Sequence, residues 1–483
     1  MKPFAVQKGL GLLLMLFSLT MLPPLLVSHL YQDGTAQPFI GALVLLLGLG
    51  ALIWLPVWQR REELKLRDGF LVVVLFWTVL GLSGALPFIL SEEPHLSVTD
   101  AVFESVSGLT TTGATVIVGL DKLPPSILYY RQQLQWLGGM GIIVLAVAVL
   151  PMLGIGGMQL YRAETPGPMK DNKLTPRITE TAKALWYIYL GLTIACGLAY
   201  WLAGMTPFDA IGHAFSTVAI GGFSTHDASI GYFDSDLIEM IAVIFMLISG
   251  MNFALHFIAW NRNSLRGYWL DSEFRFYLAL MGATTAVVCL GLYLSGTYAG
   301  GYDSLTQGLF HTVSIATTTG FTTTAFYDWP AFLGILLIFS SFVGGCAGST
   351  GGGIKVIRFL LLIKQGLREI ERLVHPNAQI PVRVGGRSVN HRVVDAVWGF
   401  FSLYVASFTL MYLALAATGL DLTTAFSAVA ASINNLGPGL GEVGAHFADL
   451  GTTAKWILCF AMLLGRLEVF TLLVLLTPAF WRP

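Results

Sequence analysis

The sequence is built from apolar runs of about 20 residues, and these runs decide what the chain can fold into. An α-helix rises 1.5 Å per residue, so about 20 apolar residues cross the roughly 30 Å hydrocarbon core of a bilayer. Such runs lie near residues 10–30, 38–58, 69–90, 132–154, 184–204, 237–260, 276–296, 331–345, 394–417 and 455–478. The sequence therefore predicts an all-α integral membrane protein with ten spanning segments.

Composition and charge placement support this prediction. Hydrophobic residues make up 55% of the chain and charged residues 11%, whereas soluble domains carry about 25% charged residues. If the chain crosses at every run, most Lys and Arg residues fall on one side, which the positive-inside rule makes the cytoplasm. We therefore expect both termini in the cytoplasm, acidic outer loops that concentrate cations, and basic segments at 155–183 and 364–394 beside membrane lipid headgroups.

Four stretches between the apolar runs are too short to cross the membrane and share one pattern. Each has about ten residues with helical apolar spacing, then a small or polar cluster, then a glycine. They read "TDAVFESVSGLTTTGATV", "FDAIGHAFSTVAIGGFST", "TQGLFHTVSIATTTGFTTT" and "LTTAFSAVAASINNLGPGL", with the glycines Gly113, Gly222, Gly320 and Gly437. The glycines are roughly a hundred residues apart, which predicts a fourfold repeat of span, half-helix, return loop and span.

Return loops at membrane depth point to a cation pore. Non-helical backbone in hydrocarbon leaves polar groups unpaired at several kcal/mol each, unless it lines a watery or ion-filled path. A half-helix entering from outside directs its negative carboxyl end inward, and the carbonyl oxygens that follow can replace the hydration shell of potassium. Close helix packing by Thr and Gly is the alternative for any single stretch, but four matched stretches favour one shared pore.

Two further features lie on the inner side of these stretches. "GGCAGSTGGGIKVIR" (344–358) is too rich in glycine to stay helical, because each glycine costs a helix about 1 kcal/mol relative to alanine. It predicts either a flexible loop that gates the pore or a simple kink. Arg466 lies inside an apolar run, where a buried charge costs at least about 2.5 kcal/mol. We expect it to face the pore below the return loops, which form the ion filter, and there to repel cations or to hold the closed gate through carbonyls of 344–353. The alternatives are snorkelling or a pair with Glu468.

The remaining polar residues of the apolar regions suggest structural roles. Glu104 and Arg131 are placed to form an ion pair, although exposure of either is an equal alternative. His213 and His311 occupy matching half-helix positions and are expected to be packing residues. No His/Asp/Glu cluster has catalytic spacing, so an enzyme is not expected, and no GxxxxGK[ST] motif is present, so any nucleotide control requires another subunit.

The chain resembles the Trk/Ktr/HKT potassium transporter superfamily over essentially its whole length. The resemblance is carried by "TTTGAT" (110–115), "AIGGFST" (219–225), "TTTGFTTT" (317–324), "NNLGPG" (434–439), "GGCAGSTGGGIKVIR" (344–358) and "GRLEVF" (465–470). It implies a pseudo-tetrameric pore in one chain, a homodimer in the bacterial inner membrane, and a TrkA-like cytoplasmic nucleotide-binding ring. It also implies K⁺ as the transported ion, with Rb⁺ as its surrogate, no covalent cofactor, and no nucleic-acid partner.

The resemblance also assigns residues. It implies potassium-binding filter positions at Thr111, Thr112, Gly113, Ile220, Gly221, Gly222, Thr318, Thr319, Gly320, Asn435, Leu436 and Gly437. It implies gating positions at Gly344, Gly345, Gly348, Ser349, Thr350, Gly351, Gly352, Gly353, Lys355 and Arg466. The second and fourth filter strands lack Thr-Thr-Gly, so the ring is unequal in side chains. In HKT relatives a serine at the first filter glycine accompanies sodium transport, so Gly113 implies potassium.

Together these features predict five parts and one function. The parts are an amino-terminal two-span hairpin (1–66), repeat 1 (67–165), repeat 2 (166–268), repeat 3 with the intramembrane gating loop (269–375) and repeat 4 (376–483). The expected function is potassium uptake through a selective pore with four re-entrant filter loops, gated by the glycine-rich loop under control of the cytoplasmic subunit. The alternative is an alternating-access carrier whose broken helices bind another substrate.

Overall fold

The architecture is helical throughout the part of the chain that the computed structural model describes, which is residues 3–60, 66–144 and 178–482, apart from one two-stranded hairpin. The first half contains α1 (Pro3–Ser18), α2 (Leu22–Tyr31), α3 (Ala36–Trp54), α4 (Leu66–Ser83), α5 (Leu86–Leu90), α6 (Val98–Leu109), α7 (Pro125–Val144), α8 (Ile178–Leu202), α9 (Pro207–Ala219), α10 (Asp236–Ser249), α11 (Phe253–Arg262) and α12 (Arg266–Leu270). The second half contains α13 (Ser272–Leu294), α14 (Gly301–Ala316), α15 (Ala331–Val343), α16 (Val356–Val374), β1 (Arg383–Val384), β2 (Arg387–Ser388), α17 (His391–Ala416), α18 (Leu422–Ile433), α19 (Thr452–Arg466), α20 (Phe470–Leu475) and α21 (Pro478–Trp481).

Membrane-spanning character is clear in the described residues. Six helices or helix pairs are long and apolar enough to cross: Pro3–Tyr31, Ala36–Val57, Asp68–Leu90, Ala182–Leu202, Ser272–Leu294 and His391–Ala416. Large apolar side chains such as Leu52 and Leu202 are exposed on their outer faces, where lipid tails replace water as the solvent. The prediction of an all-α membrane protein is confirmed.

Among the described residues, the predicted spans at 237–260, 331–345 and 455–478 are bent, short or interrupted. The run at 237–260 divides into α10 and α11, which meet at an angle of 92°. The run at 331–345 ends at Val343, and the run at 455–478 is interrupted after Arg466, where Glu468 and Val469 have positive φ. The segments at these three breaks contact one another or the glycine-rich loop that follows Val343.

Each of the four predicted repeats contains a half-helix that is preceded and followed by another helix. The half-helices are α6, α9, α14 and α18. The boundary after residue 66 falls at the start of α4, that after 268 falls inside α12, and that after 375 follows α16. The boundary after 165, the end of the run at 132–154 and the first part of the basic segment 155–183 lie outside the described residues. The division into five parts stays a prediction.

The amino-terminal hairpin is packed against the first repeat. In α1 and α3, Gly11 and Gly50 bring the two helices so close that a Cβ on Gly11 would lie 2.8 Å from the carbonyl oxygen of Gly50. At the outer turn, the carboxylate of Asp33 accepts a hydrogen bond of 2.9 Å from the backbone N–H of Ser126, at the start of α7. The hairpin is therefore attached to the core at the turn between α2 and α3.

Candidate functional site: a ring of four loops and the loop beneath it

Four half-helices enter from the same side and end at the same depth. Three of them begin at a side chain that caps the first turn: Ser97 accepts from the N–H of Asp100, Thr206 from Asp209, and Asp421 from Thr423 and Thr424. Such caps satisfy the donors that a helix start leaves unpaired. The opposite ends carry the negative pole of each helix toward the centre of the molecule.

The chain leaves all four half-helices by the same backbone turn. The residues Thr111, Ile220, Thr318 and Asn435 are left-handed, with φ between 53° and 69°, and Gly113, Gly222, Gly320 and Gly437 follow with φ between 81° and 100°. The N–H groups of Thr112, Gly221, Thr319 and Leu436 each donate a bond of 2.8 Å to the carbonyl five residues earlier. Four different sequences thus adopt one conformation, because the glycine permits the second positive φ.

The four glycines meet in a closed ring. A Cβ on Gly113 would lie 2.0 Å from the carbonyl oxygen of Gly221, one on Gly222 2.1 Å from that of Thr319, one on Gly320 2.1 Å from that of Leu436, and one on Gly437 2.7 Å from that of Thr112. Each loop therefore abuts the next, and the fourth returns to the first. All twelve predicted filter residues are brought together around one axis.

The walls of the ring are braced by residues at matching positions of the half-helices. Glu104 accepts from the N–H of Val116 at 2.9 Å and pairs with Arg131 at 2.8 Å. His213 bonds the hydroxyl of Ser224 at 2.8 Å, and His311 approaches the carbonyl of Thr324 at 3.3 Å. In the fourth repeat the matching position is Ala428, and the hydroxyl of the neighbouring Ser427 braces the loop instead by accepting from the N–H of Leu440 at 2.8 Å.

The threonine hydroxyls of the first and third filter loops form hydrogen bonds with other side chains of the ring. Thr112 and Thr319 form hydrogen bonds of 2.8 Å with the hydroxyls of Thr110 and Thr317, the threonines two residues before them. Asn435 donates from Nδ2 to the hydroxyl of Thr112 at 3.0 Å and so links the fourth loop to the first. The side chains therefore mainly hold the backbone in place.

Gln135 of α7 is a functional residue that the sequence reasoning missed. Its side-chain amide donates to the carbonyl of Gly221 at 2.6 Å and accepts from the N–H of Phe223 at 3.0 Å. The second loop, which lacks Thr-Thr, is thus held by a glutamine from the preceding helix. The run "RQQLQ" in an otherwise apolar helix was the available signal.

A cavity of about 280 Å³ lies above the ring and opens outward, lined by residues that include Thr115, Ser224, Asp227 and Thr323. At its edge His226 lies between two acids, with Nδ1 2.5 Å from Asp121 and Nε2 3.5 Å from Asp209. Burial lowers the pKa of His226, but hydrogen bonds and charge from the two carboxylates outweigh it, so the pKa is raised above 6.5. The edge of the cavity therefore combines two carboxylates with an imidazole whose pKa is raised.

Directly beneath the ring lies the glycine-rich loop, residues 344–355, between α15 and α16. The N–H of Gly352 donates to the hydroxyl of Thr318 at 2.7 Å, and that of Gly353 to the carbonyl of Asn434 at 3.1 Å. The hydroxyl of Thr350 donates to the carbonyl of Val218 at 3.0 Å. The loop thus contacts three of the four half-helix ends from below, at their filter turns or directly before them.

The other predicted gating residues shape this loop. Gly344, Gly348, Gly353 and Lys355 have positive φ. Ser349 donates to the carbonyl of Cys346 at 2.6 Å, and the ammonium of Lys355 donates to the carbonyl of Gly351. A Cβ on Gly345 would lie 2.6 Å from the hydroxyl of Ser349, and one on Gly351 3.0 Å from the carbonyl of Thr317. The loop is folded as a compact plug under the ring.

Arg466 fills the remaining sector below the ring. Its guanidinium donates to the hydroxyl of Thr111 and, at 3.2 Å, to the carbonyl of Thr350, so it joins the filter to the loop. Glu468 pairs instead with Arg358 at 2.7 Å, and that arginine lies over the ring of Phe400. The cavity between these residues is about 30 Å³, about the volume of one water molecule. Within the described residues, these contacts leave little open space beneath the ring.

Comparisons with known proteins agree with this geometry. The family profile of TrkH, described as a cation transport protein, matches residues 35–482. The chain is 64% identical over 480 residues to the Trk system potassium uptake protein TrkH of Vibrio parahaemolyticus and 58% identical over 478 residues to that of Escherichia coli K12, covering 99% of each chain. The Trk system potassium uptake protein TrkG of the same E. coli strain is 44% identical over 472 residues, with 98% of this chain and 97% of TrkG covered.

A solved structure matches equally well. The crystal structure of the potassium transporter TrkH from V. parahaemolyticus superposes with a TM-score of 0.93 at 60% identity and covers all of both chains. These relatives are named as transport proteins and not as enzymes. The chain therefore belongs to the TrkH family of cation transport proteins.

Proposed function

We propose that this chain is the pore-forming subunit of a bacterial potassium-uptake system and that K⁺ crosses it through the four-loop ring. The observation that carries the proposal is the cyclic contact of Gly113, Gly222, Gly320 and Gly437 with the neighbouring carbonyls. Carbonyl oxygens held at fixed spacing replace the water around a monovalent cation. Four negative helix ends directed at the same point lower the cost of removing that water.

The second part of the proposal concerns the contacts beneath the ring. The loop 344–355 is the gate, and Arg466 is its latch, because one guanidinium bonds both the filter residue Thr111 and the loop residue Thr350. A fixed positive charge at this place also repels a cation leaving the ring. Opening requires both the loop tip and Arg466 to leave the axis.

The subunit acts in a multi-pass arrangement with both termini in the bacterial cytoplasm, as a homodimer bound to a TrkA-like nucleotide-binding ring. The relatives are named as components of a Trk system, which supports further subunits. The basic side of the chain supports the orientation. K⁺ is the cargo, and the proposal includes no covalent cofactor.

An alternating-access carrier for another substrate is the less supported alternative. Carriers of that kind bind substrate at two unwound helices related by an inverted repeat. Here four loops that run in the same direction meet around one axis, and the breaks in the longer helices lie beneath the ring that these loops form. This arrangement favours a pore.

Uptake of rubidium into liposomes that contain the purified chain tests the proposal, with and without a pH gradient. We expect Rb⁺ uptake that K⁺ inhibits far better than Na⁺, and a higher flux for Arg466→Ala than for the unaltered chain. Arg262→Ala, at the exposed end of α11, is the matched control and leaves the flux unchanged. Absence of Rb⁺ uptake from every variant would refute the pore, and equal flux with and without Arg466 would refute the latch.

A further inference from the structure

The gating loop has a side that faces away from the filter, and this side is attached to a different part of the protein. The loop is closed at its neck, where the N–H groups of Ile354, Lys355 and Val356 donate to the carbonyls of Phe342, Val343 and Gly345 at 2.8 to 3.1 Å. Beyond the neck the chain runs through residues 346–348 before it reaches the tip, residues 349–353, under the ring.

Residues 346–348 are joined to the break between α10 and α11. The N–H of Cys346 donates to the carbonyl of Gly250 at 2.8 Å, and the N–H of Phe253 donates to the carbonyl of Gly348 at 3.1 Å. A helix interrupted at 250–252 would leave such groups without their usual partners. The loop supplies those partners, so the 92° bend and residues 346–348 stabilise each other.

A buried carboxylate completes this attachment. Glu273, in the first turn of α13, has 2% exposure and accepts a hydrogen bond of 2.7 Å from the N–H of Ala347. Asp271 caps the same helix by accepting from the N–H of Phe274 at 2.8 Å. Because Asp271 already caps the start of α13, Glu273 is not needed as the cap. Burial of its carboxylate is costly unless the carboxylate is well paired. Hydrogen bonds to a charged acceptor are about twice as strong as neutral ones.

We propose that Glu273 and the bend at 250–253 form a fixed anchor for the gate, and that opening moves only the tip at 349–353. The tip contains three consecutive glycines and is held by single hydrogen bonds to the ring, by Arg466 and by a long bond of 3.4 Å from Thr350 to Ser249, whereas each residue of 346–348 is bonded to the bend at 250–253 or to α13. Glu273 is a positioning residue that acts through the backbone of Ala347. The inference rests on the gate described under Proposed function.

The first test measures Rb⁺ flux through the full-length chain in liposomes. Glu273→Ala removes the acceptor, and we expect the closed tip to lose its support and the flux to rise by about tenfold. Glu273→Gln keeps an acceptor oxygen and gives a smaller rise. Glu371→Ala, an exposed glutamate of α16, is the matched control and leaves the flux unchanged. Unchanged flux for Glu273→Ala, with Arg466→Ala still activating, would overturn the anchor while leaving the gate intact.

The second test follows thiol reactivity and does not require a Glu273 variant to fold. In a chain with Cys196, Cys289 and Cys459 replaced by alanine, the buried Cys346 reports on the anchor, and Ser349→Cys reports on the tip. When Arg466→Ala releases the tip, we expect a membrane-impermeant thiol reagent to modify position 349 while Cys346 stays protected.

Each outcome of the second test bears on one statement. Modification of both positions at similar rates in the Arg466→Ala protein would show that the whole loop moves, and would overturn the anchor. Protection of both positions would count against the latch under Proposed function, and the Glu273→Ala flux then decides the anchor by itself. In Glu273→Ala, Cys346 becomes reactive if the anchor is correct and stays protected if it is not.

Discussion

Replacement of Gly113 by serine is the perturbation that the ring defines most sharply. Gly113 has φ +82°, and a Cβ there would lie 2.0 Å from the carbonyl oxygen of Gly221. That oxygen would have to retreat by about 1 Å before the contact reached 3.0 Å, the shortest that real Cβ atoms show. The replacement therefore displaces a carbonyl of the proposed ion path.

Gly119 supplies a matched control for backbone strain. It has the same φ of +82°, but a Cβ there would meet no atom within 4 Å. A side chain in the left-handed region costs about 1–2 kcal/mol at either position, so Gly119→Ser pays the strain without the collision. Loss of one carbonyl contact to a charged ion costs about 1.5–3 kcal/mol, which corresponds to about a 10- to 150-fold lower affinity of the ring for that ion.

We expect Gly113→Ser to lower the Rb⁺/Na⁺ flux ratio in liposomes by roughly that factor, whereas Gly119→Ser retains the ratio. Gly113→Ser should also lose more thermal stability than Gly119→Ser, because the collision with the carbonyl oxygen of Gly221 adds to the backbone strain that the two variants share. The reasoning is refuted if Gly113→Ser keeps both the flux and the ratio, because the ring would then tolerate a displaced carbonyl. Equal loss of selectivity in both variants would assign the effect to strain alone.

Three other perturbations test separate contacts. Gln135→Leu leaves two backbone groups of the second filter loop without their side-chain partner, and should reduce Rb⁺ flux at unchanged expression. Flux equal to that of the unaltered chain would show that the loop keeps its conformation without the glutamine. We expect a higher Rb⁺ leak from Arg358→Gln and from Glu468→Gln. Since both changes remove the same ion pair, the leak of the double variant should be smaller than the sum of the two single effects. Strictly additive effects would argue against coupling of the two residues. Because the pKa of His226 is raised, its pairing with the two carboxylates stabilises the fold below pH 6.5, and this stabilisation is lost as the pH rises through the raised pKa. His226→Gln should therefore lower the melting temperature more at pH 6 than at pH 8. An equal lowering at both pH values would contradict the pairing.

Much of the fold could be predicted because the bilayer leaves few solutions for a polypeptide backbone. Apolar runs must be helices, and irregular segments at that depth must face one another. The positions of the four filter turns followed from helical spacing that ends at a glycine. Arg466 could be assigned to the area below the filter, since a charge inside an apolar run requires polar partners.

The breaks in the longer helices could be predicted only where the sequence itself disfavours a helix. Six glycines mark residues 344–353, but the run at 237–260 contains one glycine, and its bend depends on hydrogen bonds from residues 346–348, about a hundred positions away. The sequence offers only a weak local sign, the capping residue Asn252, whose side chain accepts from the N–H of Ala254.

The sequence by itself therefore determined the membrane class, the four half-helices and their filter glycines, because these depend on local periodicity and on the energetic cost of unpaired backbone in lipid. Only the tertiary structure decided which distant groups complete each other: Arg358 with Glu468, Gln135 with Gly221, and Glu273 with Ala347. A buried polar group must find a partner, but many partners satisfy that requirement equally, and the packed helices select one of them.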